Sequence, residues 1–169
     1  APRYRRMREL HGKGFALASL FRLFWARALA AWVVSLPLLG AFSTNQPVGW
    51  LDYAGIALWL LGFILEAVAD RQLARFRRDP ANADRVLDQG LWRFSRHPNY
   101  LGESCVWWGF WLIALSAGAW WSIAGPLLLT ALLLWVTGVA PMERDIGNRR
   151  PPYADYVLKT NAFLPGPPR

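Results

Sequence analysis

Long apolar stretches alternate with shorter polar segments along the whole chain. The apolar stretches cover, approximately, residues 16–42, 50–70, 100–117 and 119–142. Each is close to the roughly 20 residues that a helix needs to cross the hydrocarbon core of a bilayer. Within lipid, only helices and closed barrels satisfy every backbone polar group. The pattern therefore predicts an all-α fold, a polytopic membrane helix bundle with about four transmembrane helices, formed as a single membrane domain by residues 1–169.

The positions of the basic residues predict how this bundle is oriented. Most Lys and Arg residues precede the first apolar stretch or lie in the segments 71–99 and 143–169. The connection 43–49 and the turn around Gly118 contain neither residue type. Since loops rich in Lys and Arg stay in the cytoplasm, we expect both termini and the loop 71–99 to form a polar cap on the cytoplasmic side. The expected location is integral to the membrane, in the inner membrane of a bacterium.

Composition supports a membrane protein and narrows its partners. Hydrophobic residues make up 54% of the chain, with 11 Trp, and the formal net charge is +8. Because the basic residues follow the pattern that sets topology, we expect membrane lipids with anionic headgroups as partners, and no nucleic acid. The only Cys, Cys105, lies inside the third apolar stretch. No disulfide framework is therefore expected.

The first polar cluster follows the second apolar stretch. Glu66 and Asp70 are one helical turn apart, and Arg77 lies seven residues beyond Asp70, so the three share one helix face. A carboxylate at membrane depth is costly and indicates a functional site facing the bundle interior or a cavity. The alternative is that these are interfacial charges paired with Arg71 or Arg75.

The second cluster lies at the predicted start of the third helix, where Pro98 suits the first helical turn. The N-terminus of a helix favours anions, and flanking Arg residues strengthen that preference. Such a site suits a phosphate group of a cofactor. Asn99 and Glu103 are one turn apart and point to the same place. In the alternative interpretation, Arg93 and Arg96 only extend toward lipid headgroups.

The third cluster follows the fourth apolar stretch, where Glu143 precedes Tyr153 and Tyr156. Two Tyr residues three positions apart on a short helix can face one pocket, with hydroxyls for hydrogen bonds and rings for stacking. Alternatively, the helix rests on the membrane interface. All three clusters are predicted on the cytoplasmic face, so one polar pocket for a nucleotide cofactor can collect them. No metal site is expected, because no zinc-type Cys and His spacing occurs.

Several of these residues carry a family resemblance. Residues 87–103, LDQGLWRFSRHPNYLGE, followed by Trp107-Trp108-Gly109, resemble the C-terminal domain of the steroid 5α-reductase superfamily. The similarity is closest to the bacterial membrane proteins known as the DUF1295 family. ADRQL at 69–73, Phe76-Arg77 and RPPYADY at 150–156 also fit, so the resemblance extends over nearly the whole chain.

The resemblance implies a membrane bundle that uses NADPH to reduce a carbon–carbon double bond in a lipophilic small molecule, a steroid-like or other lipid. By position, Asp70, Arg77, Arg85 and Asn99 match residues that hold NADPH in the reductases, and Glu103 matches an acidic residue beside that pocket. The predicted cofactor-binding set is Asp70, Arg77, Arg85, Arg96, His97, Asn99, Tyr100, Glu103, Tyr153 and Tyr156. Family members carry additional spans before the segment that aligns with residues 1–13, and the groups that protonate the substrate lie there. No catalytic residue is therefore assigned.

Two further functions are compatible with the sequence. Membrane methyltransferases of the isoprenylcysteine carboxyl and phospholipid type share Arg-His-Pro-x-Tyr and bind S-adenosylmethionine. They typically show Glu-Glu after the last span, whereas here Glu143 is followed by Arg144. The longer match through Asp70 and Arg77 favours the reductase. The third hypothesis is a non-catalytic accessory subunit that packs its Trp-rich spans against other subunits of a membrane complex.

Overall fold

A computed structural model describes residues 24–43, 47–136, 138–140, 143 and 151–168. Its α-helices, in chain order, are α1 (Ala26–Val34), α2 (Leu36–Ala41), α3 (Trp50–Arg78), α4 (Pro98–Ser116), α5 (Ala124–Ala131) and α6 (Pro151–Lys159). Short 3₁₀ helices form at Pro80–Asn82, Gly90–Arg93 and Trp120–Ile123, and a π-helical turn at Leu132–Val136 continues α5. These ranges contain no β-strand. The predicted all-α fold is confirmed for this part of the chain.

Helix α3 is the longest of the helices described, with 29 residues and a length of about 43 Å at 1.5 Å per residue. Asp52 caps its start by accepting a hydrogen bond from the Gly49 backbone N–H at 2.8 Å. It ends at Arg78, with Asp79 as its C-cap, because Pro80 cannot continue a helix. Within the described ranges, α3 alone is long and apolar enough to cross a membrane. Apolar side chains such as Leu61 and Ile64 are exposed along it, as expected for contact with lipid.

The other three predicted spans contain shorter elements. The first includes α1 and α2, although its beginning, up to residue 23, lies outside the described residues. The third corresponds to α4, with 19 residues, and the fourth contains the apolar segment Trp120–Val136. The predicted tight turn between the last two is present, with Gly118 at φ +82°. The arrangement with four spans stays a prediction.

Helices α3 and α4 pack together through glycines. A Cβ atom on Gly62 would lie 2.7 Å from the Gly102 carbonyl oxygen, and one on Gly109 would lie 2.7 Å from the Gly55 carbonyl oxygen. The glycines on each helix are seven residues apart, which is two turns, so they share one face. Small residues let two helix backbones approach closely in a membrane. The pairing is antiparallel and brings the C-terminal half of α3 beside the start of α4.

The polar segment between α3 and α4 folds back onto α3. Asp79 Oδ1 accepts a hydrogen bond from the Ala81 N–H at 2.9 Å, which starts the turn. Further along, the indole N–H of Trp92 donates to the Ala69 carbonyl oxygen at 3.1 Å. The helix restarts at Pro98, as predicted, and the break at Asp79-Pro80 follows from the geometry of proline. Residues from both ends of this segment therefore lie close to the C-terminal half of α3.

The C-terminal region packs against the residues that precede α4. The Arg96 backbone N–H donates to the Asn161 carbonyl oxygen at 2.9 Å. The Ser95 hydroxyl donates to the Phe163 carbonyl oxygen at 2.8 Å. The Gly166 N–H donates to the Phe94 carbonyl oxygen at 3.1 Å. These contacts hold α6 over the start of α4. They complete a polar end of the molecule built from α3, the segment 79–97, α4 and α6.

Candidate functional site

A cavity of about 650 Å³ lies at this polar end of the molecule. Nine of the ten residues predicted to bind a cofactor line it: Asp70, Arg77, Arg85, Arg96, His97, Asn99, Tyr100, Tyr153 and Tyr156. The tenth, Glu103, is half-buried on α4 and is not among the lining residues, and neither is Glu66 on α3. The three clusters that the sequence placed on one face of the bundle therefore meet at one cavity.

Asp70 and Asn99 connect the two long helices beside this cavity. The Asn99 Nδ2 group donates to Asp70 Oδ1 at 3.1 Å, which joins the first turn of α4 to α3. This contact orients the amide, since the opposite orientation would place its oxygen against a carboxylate. The Asn99 Oδ1 atom is buried and has no partner among the described residues. A buried carbonyl oxygen without a donor is unfavourable, so this atom is suited to accept a hydrogen bond from a ligand.

The acidic and basic residues of α3 do not pair as the sequence suggested. Asp70 is exposed, and it forms no ion pair with Arg77, Arg71 or Arg75 in the described structure. Arg77 is exposed on the cavity wall about two turns further along α3, and Arg85 is exposed on the segment that follows. Both guanidinium groups therefore contribute positive charge to the wall of the cavity.

Arg96 has a different role, because internal acceptors occupy its guanidinium group. Nε and Nη2 donate to the two carboxylate oxygens of Glu143 at 2.7 and 2.9 Å. Nη1 donates to the carbonyl oxygens of Val157, at 3.0 Å, and of Thr160. Only 7% of Arg96 is exposed. It lines the cavity while binding the end of α6, instead of presenting an open charge to a phosphate.

His97 shares the same carboxylate. Its Nε2 lies 3.1 Å from Glu143 Oε1, and its ring stacks on that of Tyr100 with a centroid distance of 5.4 Å and parallel planes. Burial raises the pKa of Glu143, but hydrogen bonds from His97 and Arg96 outweigh it and lower that pKa to about 2. Glu143 is therefore ionised at neutral pH, and His97 Nε2 is the donor in this contact.

The two Tyr residues of α6 are both buried against the cavity wall. Their ring centroids are 5.7 Å apart in an edge-to-face arrangement. Burial raises the pKa of Tyr153 to about 12, and it also raises the pKa of Tyr156 well above its usual range. Both hydroxyls thus stay protonated at physiological pH. That of Tyr156 donates to the Trp92 carbonyl oxygen, which fixes α6 to the segment before α4.

Sequence reasoning missed the apolar part of the wall and the role of Glu143. The apolar lining residues are Leu73, Phe76, Pro80, Ala83, Val86, Leu87 and Trp92. For the first two, helical spacing supplied a usable signal, since they lie three and six residues after Asp70 on the face that carries Arg77. Glu143 had no such local signal, because its partners lie 46 and 47 positions earlier in the chain.

Comparison with known proteins establishes the family. A family model described as "Protein of unknown function (DUF1295)" matches residues 1–160. The chain belongs to the DUF1295 family. Two uncharacterized proteins of the fission yeast Schizosaccharomyces pombe are similar to it. C594.04c is 26% identical, over 96% of this chain and 54% of that protein; C9.08c is 29% identical, over 71% of this chain and 47% of that protein.

The chain spans about half the length of these curated relatives. No solved structure matches it. The family and the helical architecture are thus established, and one helix is suited to a membrane. The bacterial inner membrane, the cytoplasmic termini, the lipid partners and the absence of nucleic-acid binding stay predictions.

Proposed function

We propose that this chain forms the cofactor-binding part of a membrane reductase, which uses NADPH to reduce a carbon–carbon double bond in a steroid-like or other lipid substrate. The observation that carries the proposal is the shared cavity, which residues from α3, α4 and α6 line and whose lining includes Asn99, with an Oδ1 atom that has no partner among the described residues. Its volume of about 650 Å³ falls in the range of small-molecule and cofactor sites. Bound NADPH would supply the hydride.

The lining residues fit a dinucleotide in charge and shape. Arg77 and Arg85 provide guanidinium groups. One guanidinium group can donate two parallel hydrogen bonds to two oxygens of a phosphate. Asn99 provides a buried acceptor for an amide or hydroxyl donor of the ligand. The rings of Tyr100 and Tyr153 and the apolar wall provide flat surfaces for the less polar parts of the cofactor. These residues would bind and orient NADPH, while the lipid substrate approaches from the membrane.

A titration of the purified protein in detergent tests the proposal. We expect NADPH to bind more tightly than NADH, since the additional ribose phosphate gains contacts with Arg side chains. Arg77→Ala and Arg85→Ala should narrow the difference between the two cofactors. Arg71→Ala is the matched control, because Arg71 is an exposed Arg on α3 that does not line the cavity. Equal affinity of the wild-type protein for NADPH and NADH would contradict the proposed phosphate recognition.

A methyltransferase is the second candidate, and it would use the same cavity. The carboxylates of Asp70 and Asp79 and the rings of the two α6 tyrosines line the wall, and such groups suit the sulfonium cation of S-adenosylmethionine. S-adenosylmethionine belongs in the same titration. Binding of this compound without binding of NADPH would replace the reductase by the methyltransferase. Binding of neither compound would favour the accessory subunit.

A further inference from the structure

Glu143 is the one carboxylate in the described structure that contacts two neighbouring residues of the Arg96-His97-Pro98 segment. It receives two hydrogen bonds from Arg96 and one from His97. A carboxylate that accepts from both nitrogens of an Arg fork holds that side chain in one orientation. Glu143 does not itself line the cavity. Any effect on a ligand must therefore pass through its partners.

Through His97, Glu143 acts on the cavity wall. His97 is 4% exposed, its backbone N–H is bound to the Ser95 hydroxyl at 3.2 Å, and its ring is stacked on Tyr100. The bond to Glu143 sets the rotation of the imidazole ring and keeps the proton on Nε2. Since His97 and Tyr100 both line the cavity, the orientation of these two rings determines the shape of that wall.

Through Arg96, Glu143 also holds the part of the wall formed by α6 in place. Arg96 Nη1 binds the carbonyl oxygens of Val157 and Thr160, which belong to the last turn of α6 and the residue after it. A cation at this position satisfies carbonyl groups that have no partner within the helix. The same α6 carries Tyr153 and Tyr156 to the cavity. One carboxylate thus links the wall at the start of α4 with the wall formed by α6.

We propose that Glu143 is a positioning residue for the ligand site: it holds the His97 ring against Tyr100 and Arg96 against the end of α6, and so shapes the cavity without touching the ligand. The identity of the ligand as NADPH rests on the proposed function, whereas the positioning itself does not.

The test combines three variants with two measurements. Glu143→Gln keeps the volume but removes the charge, His97→Phe keeps a flat ring against Tyr100 but removes Nε2, and the third variant carries both changes. We expect each single change to weaken NADPH binding by about tenfold, the effect of losing one charge-assisted hydrogen bond. When His97→Phe is already present, adding Glu143→Gln should weaken NADPH binding by less than half as much, in free energy, as Glu143→Gln does in the wild-type protein. Asp155→Asn, an exposed carboxylate on α6, should leave affinity unchanged.

The second measurement does not depend on a ligand. The His97 Nε2 proton should give a downfield resonance by nuclear magnetic resonance in the wild type, because a carboxylate is a strong acceptor. In Glu143→Gln the resonance should move upfield and exchange faster with water. An unchanged resonance would overturn the positioning role, and so would a lower melting temperature with unchanged NADPH affinity in all variants. If the wild type binds no NADPH, the proposed function fails, and the resonance still decides the role of Glu143.

Discussion

At Asn99, the two sides of one amide have opposite environments. The NH₂ group donates to Asp70, and the carbonyl oxygen is buried without a partner among the described residues. The sequence indicated that both residues belong to one pocket, because each falls on a helix at the end predicted to face the cytoplasm. It did not indicate that they bind each other, since they are 29 positions apart and the contact depends on the packing of α3 against α4.

Substitutions at these two positions should separate ligand binding from stability. Asn99→Ala should weaken cofactor binding by roughly 1–3 kcal/mol, because a ligand donor would lose its acceptor, and should leave the melting temperature near that of the wild type. Asp70→Ala should also weaken binding, because the Asn99 amide loses the contact that orients it. Its cost in stability should be small, at about 1 kcal/mol or less, since Asp70 is exposed.

Asp70→Asn serves as the control in this pair, because an Asn at this position can still accept from Asn99 and should retain most of the affinity. A paired thermal melt and cofactor titration of the three variants measures both effects. If affinity stays unchanged in Asn99→Ala and Asp70→Ala while both proteins fold normally, the ligand does not occupy this cavity.

Arg96 shows a limit of reasoning from residue type. Sequence motifs present Arg93 and Arg96 as equivalent cations beside a helix start. In the structure, Arg93 is exposed, whereas Arg96 is buried and bound to Glu143 and α6. A buried cation requires a nearby counter-charge, and only the fold reveals that Glu143 supplies it. Binding of a phosphate group is therefore proposed for Arg77 and Arg85.

At the scale of elements, the contact between α3 and α4 supports the whole site. Their glycines leave no room for side chains, and a Cβ atom on Gly102 would lie 2.6 Å from the Glu66 backbone nitrogen. The sequence showed that these glycines lie within apolar stretches, but it did not indicate which residues of the other helix they contact. Their seven-residue spacing on both helices places them in facing pairs only when the two helices pack side by side.

Gly102→Ala should lower the stability of the protein by about 1–3 kcal/mol, because the new methyl group meets backbone atoms that cannot move aside independently. The helices would have to separate, and the Asp70–Asn99 contact beyond this point would lengthen. We expect a lower melting temperature in detergent together with weaker cofactor binding. Ala57→Leu, at an exposed position of α3, adds more volume and should change neither property. Equal melting temperatures for Gly102→Ala and the wild type would contradict the close packing.

At the scale of the whole molecule, the distribution of charge predicts which end faces the cytoplasm. The cavity lies at the end that carries Arg77, Arg85 and Arg96, and the connection between α2 and α3 contains no Lys or Arg. The positive-inside rule then predicts that the cavity lies on the cytoplasmic side, where soluble nucleotide cofactors occur. The proposed binding of a cytoplasmic cofactor therefore depends on this orientation.

Cysteine labelling of intact cells tests this orientation. With Cys105 replaced by Ala, a single Cys at Ser43 should react with a membrane-impermeant reagent added outside. A single Cys at Ala81, which is exposed on the segment after α3, should react only after the cells are opened. Labelling of the Cys at position 81 from outside would show that the predicted orientation is wrong and that the cavity is not accessible from the cytoplasm.

The sequence by itself determined the all-α class, two helix boundaries beside the site and the chemical types of residue available to it. The end of α3 at Asp79-Pro80, the start of α4 at Pro98 and the shared face of Asp70 and Arg77 follow from local rules: proline geometry and helical period. These rules involve residues within a few positions of each other. They therefore hold before any tertiary contact forms.

Only the tertiary structure decided which of these residues face the cavity and which are bound within the protein. Glu143 and Arg96 are 47 positions apart, and their contact exists because α6 packs over the start of α4. The antiparallel packing of α3 and α4 likewise joins the Asn99 amide to Asp70, while its oxygen has no donor within the part of the chain that the structure describes. Such contacts depend on the relative positions of whole helices, which no local pattern of residues encodes.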